Sequence, residues 1–371
     1  MNKTTLDVLI PSYRMSEHHL LRMLDVRKPD HMEIKFIIAV DNPDAFISAR
    51  LEKRLQRKDV LVIHNTQNIG APMTRNVCLD ASNAEWVLFW DDDIEPDENI
   101  LFEYEYAMQT NKHAPGFCGP TLTPNPHNSF TRGIQNSDIL TFWHLPAEYR
   151  TVSWGITANL LIRRSAMGKK RFSSRFPKLG GGEDIDFCLR IVDESGTRFS
   201  IAWMAKAKHD WWNDGKRSYI RFMRWAYGDS VLPSLFPQYR YYNFPNMVEF
   251  LFLGGALSIG ISAADGQKDF LFVAIVVGAL LGEVLGEWGK LFLVKNIRSP
   301  IIAVESSLVR CSNDLGRFVA HVQRFRLTGI TERFDYFCDG LHVRFERKVA
   351  AAKFALFLIF TTVSQFIFSH L

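Results

Sequence analysis

The sequence predicts an α/β protein: a mostly parallel, doubly wound sheet followed by C-terminal membrane-associated helices. Three observations carry this. Apolar runs rich in Val, Ile and Phe alternate with helix-like stretches through the first hundred residues, the pattern of a parallel sheet with crossover helices. Polar clusters follow each run, where such sheets bind ligands. After residue 245 the chain turns apolar, and Phe250–Ala264, Phe270–Gly282 and Phe354–Phe368 each lack any charged residue.

The predicted strands are Leu6–Ile10, Ile34–Val40, Asp59–Ile63 and Trp86–Trp90, and the helices between them are Ser16–Val26, Ala45–Gln56 and Met73–Ala81. At the strand ends stand Pro11-Ser12-Tyr13-Arg14, Asp41-Asn42, His64-Asn65 and Asp91-Asp92-Asp93. Beyond them, Gly116–Gly119 and Asn159–Arg163 read as strands, Gly180–Gly182 as a turn, Glu183-Asp184 as a helix start and Phe199–Met204 as a last strand. Thr123–Tyr149, rich in Pro, Asn and His, reads as a loop over the site.

Residues 1–245 form the first domain in this reading and 246–371 a membrane region, with apolar segments at 247–264, 270–294 and 350–368. Each charge-free run is shorter than the roughly 20 apolar residues of a full span, but its flanks extend it. Buried helices of a soluble domain are the alternative. Lys290, Lys295, Arg298, Arg344, Arg347, Lys348 and Lys353 flank the second and third segments, whereas Asp265–Asp269 carries one Lys. The positive-inside bias then puts the basic flanks and the N-terminal domain on the cytosolic side. Near 306–327 an apolar stripe runs beside Arg310, Arg317 and Arg324. It reads either as an interfacial helix with its arginines toward lipid phosphates or as a helix packed on the catalytic domain.

Composition narrows the function. The 371 residues carry a net charge of +4 with 23% charged residues, without the clustered basic surface of a nucleic-acid-binding protein. Five dispersed cysteines with no CxxC pair argue against a disulfide framework or a zinc site. The N-terminus leads directly into a strand without a signal-peptide pattern, so the first domain is expected to fold in the cytosol.

The Asp91–Asp93 triplet follows the apolar run Trp86–Trp90. Three adjacent carboxylates at the end of a buried strand need positive charge. They read either as an acidic turn in solvent or as a site where Mg2+ or Mn2+ meets a nucleotide diphosphate.

The companions appear in a set order: Asn68-Ile69-Gly70-Ala71-Pro72-Met73-Thr74-Arg75-Asn76, the triplet, Asn159–Arg164, Gly181-Gly182-Glu183-Asp184-Ile185-Asp186, and His209. Over residues 5–230 this order resembles the inverting family 2 glycosyltransferases, which have the GT-A fold. The resemblance implies that Asp41 accepts a hydrogen bond from a uracil base, with Pro11, Tyr13 and Arg14 lining the nucleotide pocket and Asn68, Gly70 and Arg75 on the donor side. Arg75 would pair with the diphosphate or brace the triplet. Asp93 takes the metal position, Asp91 ribose or metal, Asp92 the donor sugar, and His209 completes the metal shell. Asp184, favoured over Glu183, would be the general base, accepting the acceptor hydroxyl's proton; both could instead simply suit a helix start. Arg221-Phe222-Met223-Arg224-Trp225 resembles the QxxRW motif of processive synthases, with Arg in place of Gln, which weakens processivity. There Arg224 would hold the leaving diphosphate, and Trp225, with Gly182 and Trp154, would face the acceptor.

The expected function is a membrane-associated, integral, metal-dependent inverting glycosyltransferase using Mn2+ or Mg2+, with its catalytic domain in the cytosol. It would move a sugar from a nucleotide donor, most simply UDP-linked, to a lipid-linked or glycan acceptor, with membrane lipid but no nucleic acid as partner. The rivals are a processive polysaccharide synthase, a nucleotidyltransferase and an inactive membrane scaffold. A nucleotidyltransferase would need a glycine-rich loop after the first strand, and Pro11–Arg14 has no glycine.

Overall fold

The structure is a computed structural model that describes residues 3–265 and 270–370. Most of the expected polar connection Asp265–Asp269, from 266 to 269, lies outside the described residues. The chain divides into two units, residues 1–125 with 140–214, and residues 126–139 with 215–371.

The elements begin with β1 (Thr4–Ser12), α1 (Glu17–Leu24), β2 (Met32–Val40), α2 (Ala49–Leu55), β3 (Val60–His64), α3 (Ala71–Ala81) and β4 (Trp86–Trp90). Next come β5 (Ile94–Pro96), α4 (Ile100–Thr110), β6 (Gly116–Cys118), β7 (Thr121–Leu122), α5 (Ser129–Asn136), α6 (Thr141–His144), β8 (Thr151–Val152) and β9 (Asn159–Arg163). They continue with α7 (Arg164–Met167), α8 (Glu183–Ser195), β10 (Phe199–Ile201), β11 (Ala207–His209), α9 (Ile220–Asp229), α10 (Leu232–Leu235) and β12 (Arg240–Tyr242). The last are α11 (Met247–Asp265), α12 (Leu271–Lys295), α13 (Pro300–Gln323), β13 (Glu332–Phe334) and α14 (Leu341–Ser369).

The first unit holds an eight-stranded sheet ordered β3-β2-β1-β4-β9-β6-β10-β8. Its first four strands pair in parallel. β9 then runs antiparallel to both β4 and β6, so the sheet is mixed and less parallel than its alternating first half suggests. An antiparallel neighbour needs no crossover helix, and the sequence between β4 and β9 lacks the regular alternation. β1 and β4 are covered on both faces, which is why Leu6, Val8, Leu9 and Ile10 and all five residues of Trp86–Trp90 are apolar and buried. β3 lies at an edge and alternates between half-buried and exposed residues.

The chain builds β1, β2 and β3 outward, then returns to lay β4 on the free side of β1. That reversal opens a crevice at the carboxyl ends of β1 and β4. Ser12–Arg14 and Asp91–Asp93 extend into it.

Helix limits differ from expectation where capping decides. α2 starts at Ala49 because the Ser48 hydroxyl accepts from Leu51 N at 3.1 Å, leaving Ala45–Ile47 outside. α3 starts two residues early, with Pro72 in its first turn. Thr123–Tyr149 is not one loop but contains α5 and α6; α5 is closed by a reciprocal cap between Asn128 and Thr131 and buries Phe130 and Ile134.

In the second unit, α12 and α14 run antiparallel. Gly278, Gly282 and Gly286 of α12 lie against Thr361, Phe357 and Lys353 of α14, and a Cβ at any of the three would collide with its partner. Lys353 Nζ lies 2.6 Å from Glu283 and 2.9 Å from Glu287, both buried. Glu287 also meets Lys290 at 2.7 Å and the Ser306 hydroxyl at 2.8 Å. The 25-residue α12 and 29-residue α14 are long and apolar enough to cross a bilayer; Met247–Ile261 is apolar but shorter. The arginines of α13 have partners within the protein. Arg310 donates to Ser137 O at 3.1 Å, Arg317 pairs with Asp314 at 2.7 Å, and Arg324 binds the Ser230 hydroxyl. The exposed face of α13 is instead apolar, formed by Ile301, Val304, Leu308, Leu315 and Val322.

Candidate active site

Asp92 is buried, and its carboxylate accepts from the Ser12 hydroxyl at 2.8 Å, from Tyr13 N and Arg14 N at 3.1 Å each, and from Arg14 Nη2 at 2.5 Å. A buried carboxylate needs such a set of donors, and these tie the β1 loop to the end of β4. The sequence expectation gave Asp92 to the donor sugar; in the structure its carboxylate is held by these four donors at the end of β1. Ser12, missed in the sequence, is the first of them. Tyr13 is exposed and Pro11 buried.

Asp93 lies between Arg14, at 2.7 Å, and His209 Nε2, at 3.1 Å. Burial raises its proton affinity, but His209 and Arg14 more than compensate and hold the carboxyl well below its usual range. His209 sits opposite Ile94 where β11 pairs with β5. Burial disfavours its charged form, and Asp93 outweighs that and raises its pKa. His209 Nδ1 lies 2.5 Å from Asp210 O, an arrangement in which Nδ1–H donates to the carbonyl and aims Nε2 at Asp93. Trp143 and Trp212 frame the ring edge-on or tilted, with centroids 5.0 and 5.1 Å away. Trp212 is local to His209 in the chain, but Trp143 had no sequence signal, since nothing local ties residue 143 to 209.

Arg75 is the buried link between the triplet and α8. Its Nη2 reaches Asp91 at 2.9 Å, its Nη1 reaches Glu183 at 3.1 Å, and its guanidinium lies over Phe172. Burial opposes its charge, and Asp91 and Glu183 overcome that. The other Glu183 oxygen accepts from Gly181 N at 2.7 Å. Gly180, Gly181 and Gly182 have φ of 87°, 111° and 85°, a run of left-handed conformations that only glycine adopts without strain. Asp184 follows on the first turn of α8, half-buried, where Glu183 is buried.

Asp41 accepts from Asn65 Nδ2 at 2.8 Å, Ile69 N at 2.9 Å and Gly70 N at 2.8 Å, and so shapes the Asn68–Gly70 turn before α3. Lys178 closes the turn from outside by donating to Asn68 O at 2.9 Å. Trp154 is buried and stacked on Phe142, centroids 4.1 Å apart. Arg224 and Trp225 belong to α9 in the second unit, where Phe222 packs edge-on to Trp225.

The first unit thus joins a nucleotide-type crevice to an acidic cluster braced by arginines and a carboxylate at a glycine-turned helix start. The class this defines is a glycosyltransferase with a GT-A fold. Residues 7–175 match the family model described as glycosyl transferase family 2. It is 29% identical over 232 residues to the succinoglycan biosynthesis protein ExoM of Rhizobium meliloti, covering 55% of this chain and 71% of that protein. To the pre-mycofactocin glycosyltransferase of Mycobacterium tuberculosis it is 27% identical over 172 residues, 41% of this chain and 32% of that relative's length. Among solved structures, S. aureus TarS 1–349 superposes with a TM-score of 0.43 at 13% identity, covering 87% of this chain and 92% of that one.

Proposed function

We propose that the chain is a membrane-bound, metal-dependent, inverting glycosyltransferase that transfers a sugar from a nucleotide donor, UDP-linked in the simplest case, to a lipid-linked or glycan acceptor. The observation that carries this reading is Arg75, which joins Asp91 to Glu183 and so sets the acidic triplet beside the start of α8. Asp184 is the base: as the acceptor oxygen attacks the sugar C1, its proton passes to the Asp184 carboxylate and the bond from C1 to the diphosphate oxygen breaks. Attack opposite the leaving group inverts the anomeric centre. Glu183, held by Arg75 and Gly181 N, orients the turn.

Asp91, Asp93 and His209 would hold Mn2+ or Mg2+, and carboxylate oxygens with one oriented imidazole suit that pair, Mn2+ in particular. Such an ion supplies positive charge to the departing diphosphate. Arg14, half-exposed, pairs with both Asp92 and Asp93 and is the cation of the site nearest solvent.

The apolar lengths of α12 and α14 and the basic residues Lys295, Arg298, Arg344, Arg347 and Lys348 support membrane attachment with the catalytic unit on the cytosolic side. The name of the Rhizobium relative, a succinoglycan biosynthesis protein, supports a glycan acceptor.

Nucleotide release from a panel of sugar nucleotides, with Mn2+ and with chelator, tests the reading. Release from one donor, abolished by chelator and lost in Asp184→Asn while that variant still binds donor, is the expected result. Full turnover in Asp184→Asn sinks the base assignment, and turnover in chelator sinks the metal. Carbonate extraction that frees the chain from membranes refutes the integral helices.

A further inference from the structure

We propose that His18, His19 and Glu95 form a second cation site, separate from the acidic triplet, that takes a borderline transition metal of the Zn2+ class. Their ligand atoms lie within 4.8 Å of one another, and among the described residues no other group of three His, Cys, Asp or Glu side chains comes as close. His18 and His19 open α1, and Glu95 is the middle residue of β5. His18 Nε2 stands 2.8 Å from Glu95 Oε1, and Arg22 takes the other oxygen at 2.8 Å. Oε1 therefore faces His18, and the carboxylate lies within 4.8 Å of a His19 ring nitrogen.

Two details show that the site is built. Ser16 occupies the N-cap position of α1, yet its side chain makes no capping hydrogen bond. Its hydroxyl sits 2.9 Å from His19 Nδ1 instead. An N-cap hydroxyl is worth about 1 kcal/mol to a helix, so this serine has been diverted from a favourable role to orient the ring. In the tautomer whose Nδ1–H donates to Ser16, the lone pair of His19 is on Nε2, and that atom is buried with no hydrogen-bond partner. A buried imidazole nitrogen left this way costs stability unless something binds it.

Two imidazole nitrogens and one carboxylate oxygen are a donor set for Zn2+ with the fourth position left to water. The hydroxyl behind Nδ1 is the outer partner that metal-bound histidines use to fix tautomer and direction. His18 is exposed, so an ion can reach the site from solvent. The triplet would take a hard ion beside a diphosphate; this site favours a softer ion bound without substrate.

The test is Zn2+ binding to the purified full chain without nucleotide, followed by competition with a chromophoric chelator and by the visible absorption of Co2+. Wild type should bind one Zn2+ that His18→Gln, His19→Ala and Glu95→Gln each lose or hold at least tenfold more weakly. Ser16→Ala should keep the site but weaken it about tenfold, the usual effect of removing an outer partner. Asp93→Asn should retain this Zn2+, which separates it from any ion at the triplet. Should His19→Ala fail to fold, exposed His18→Gln still decides. Equal Zn2+ affinity in wild type and His18→Gln, or loss of the ion in Asp93→Asn alone, overturns the proposal.

Discussion

Replacing Arg75 with Met keeps much of the side-chain volume and removes the charge that two carboxylates share. Glu183 is almost fully buried beside it, and Asp91 retains 29% side-chain exposure. Removing one partner of a buried ion pair costs about 3–5 kcal/mol, because the other charge is left uncompensated. Water at Asp91 relieves part of this, so the lower end, about 3 kcal/mol, is expected. For a domain of this size each kcal/mol shifts the melting temperature by roughly 2–4 °C, which gives a fall of about 6–12 °C. Thermal unfolding of the detergent-solubilised chain, followed by intrinsic fluorescence, reads this directly. Adding Glu183→Gln to Arg75→Met should recover about half of the loss, since the stranded carboxylate is gone. Arg75→Lys should fall between, its single ammonium reaching one partner and not both. A fall below about 2 °C in Arg75→Met, or a double variant less stable than the sum of the singles, would refute the bridge.

Three further outcomes follow from the same geometry. His321 is buried with neither ring nitrogen partnered, and burial followed by Arg317, Arg326 and Arg324 lowers its pKa to about 4. The folded state keeps it neutral where the unfolded chain protonates it, so stability is full above about pH 6.5 and falls by up to about 3 kcal/mol toward pH 4. Denaturant titrations across that window should show the slope in wild type and a flatter one in His321→Gln. Gly282→Val places a branched side chain against Phe357 and the backbone of Leu356, and should lower stability by about 1–3 kcal/mol in detergent melts. Gly181→Ala forces a Cβ onto φ of 111° and should cut sugar transfer at least tenfold while the far-UV spectrum stays unchanged.

The parts of this molecule legible in the sequence are those that depend on one segment at a time. β4 and β9 fall where the apolar runs Trp86–Trp90 and Asn159–Arg163 put them, and α8 starts at Glu183 because three glycines precede it. The direction of β9 was not legible, since both orientations bury Leu160 and Ile162 equally well. Nor was the partner of Arg75: its motif marks a functional arginine, but its second carboxylate lies 108 residues away, at Glu183. α13 shows the same limit in another form. Arg310, Arg317 and Arg324 recur every seven residues, and periodicity alone cannot say whether a basic stripe meets lipid phosphate or Ser137, Asp314 and Ser230. Gly278, Gly282 and Gly286 recur every four residues, a spacing of small residues that marks a helix-packing groove, but the sequence does not say which helix fills it.

That groove also sets a timetable for synthesis. Glu283 leaves the ribosome 70 residues before Lys353, the cation that lies against it. At about 5–20 residues per second, several seconds pass in which that carboxylate has no α14 beside it. Glu287 has Lys290 one turn away in the interim, but no cation of α12 pairs with Glu283 among the described residues. Until the last helix arrives Glu283 therefore lacks its cation, and any chain cut short before residue 353 retains an unneutralised acid on an apolar helix. Nonsense and frameshift lesions far from the catalytic unit should then destabilise the chain and lower the level of the whole protein, catalytic unit included.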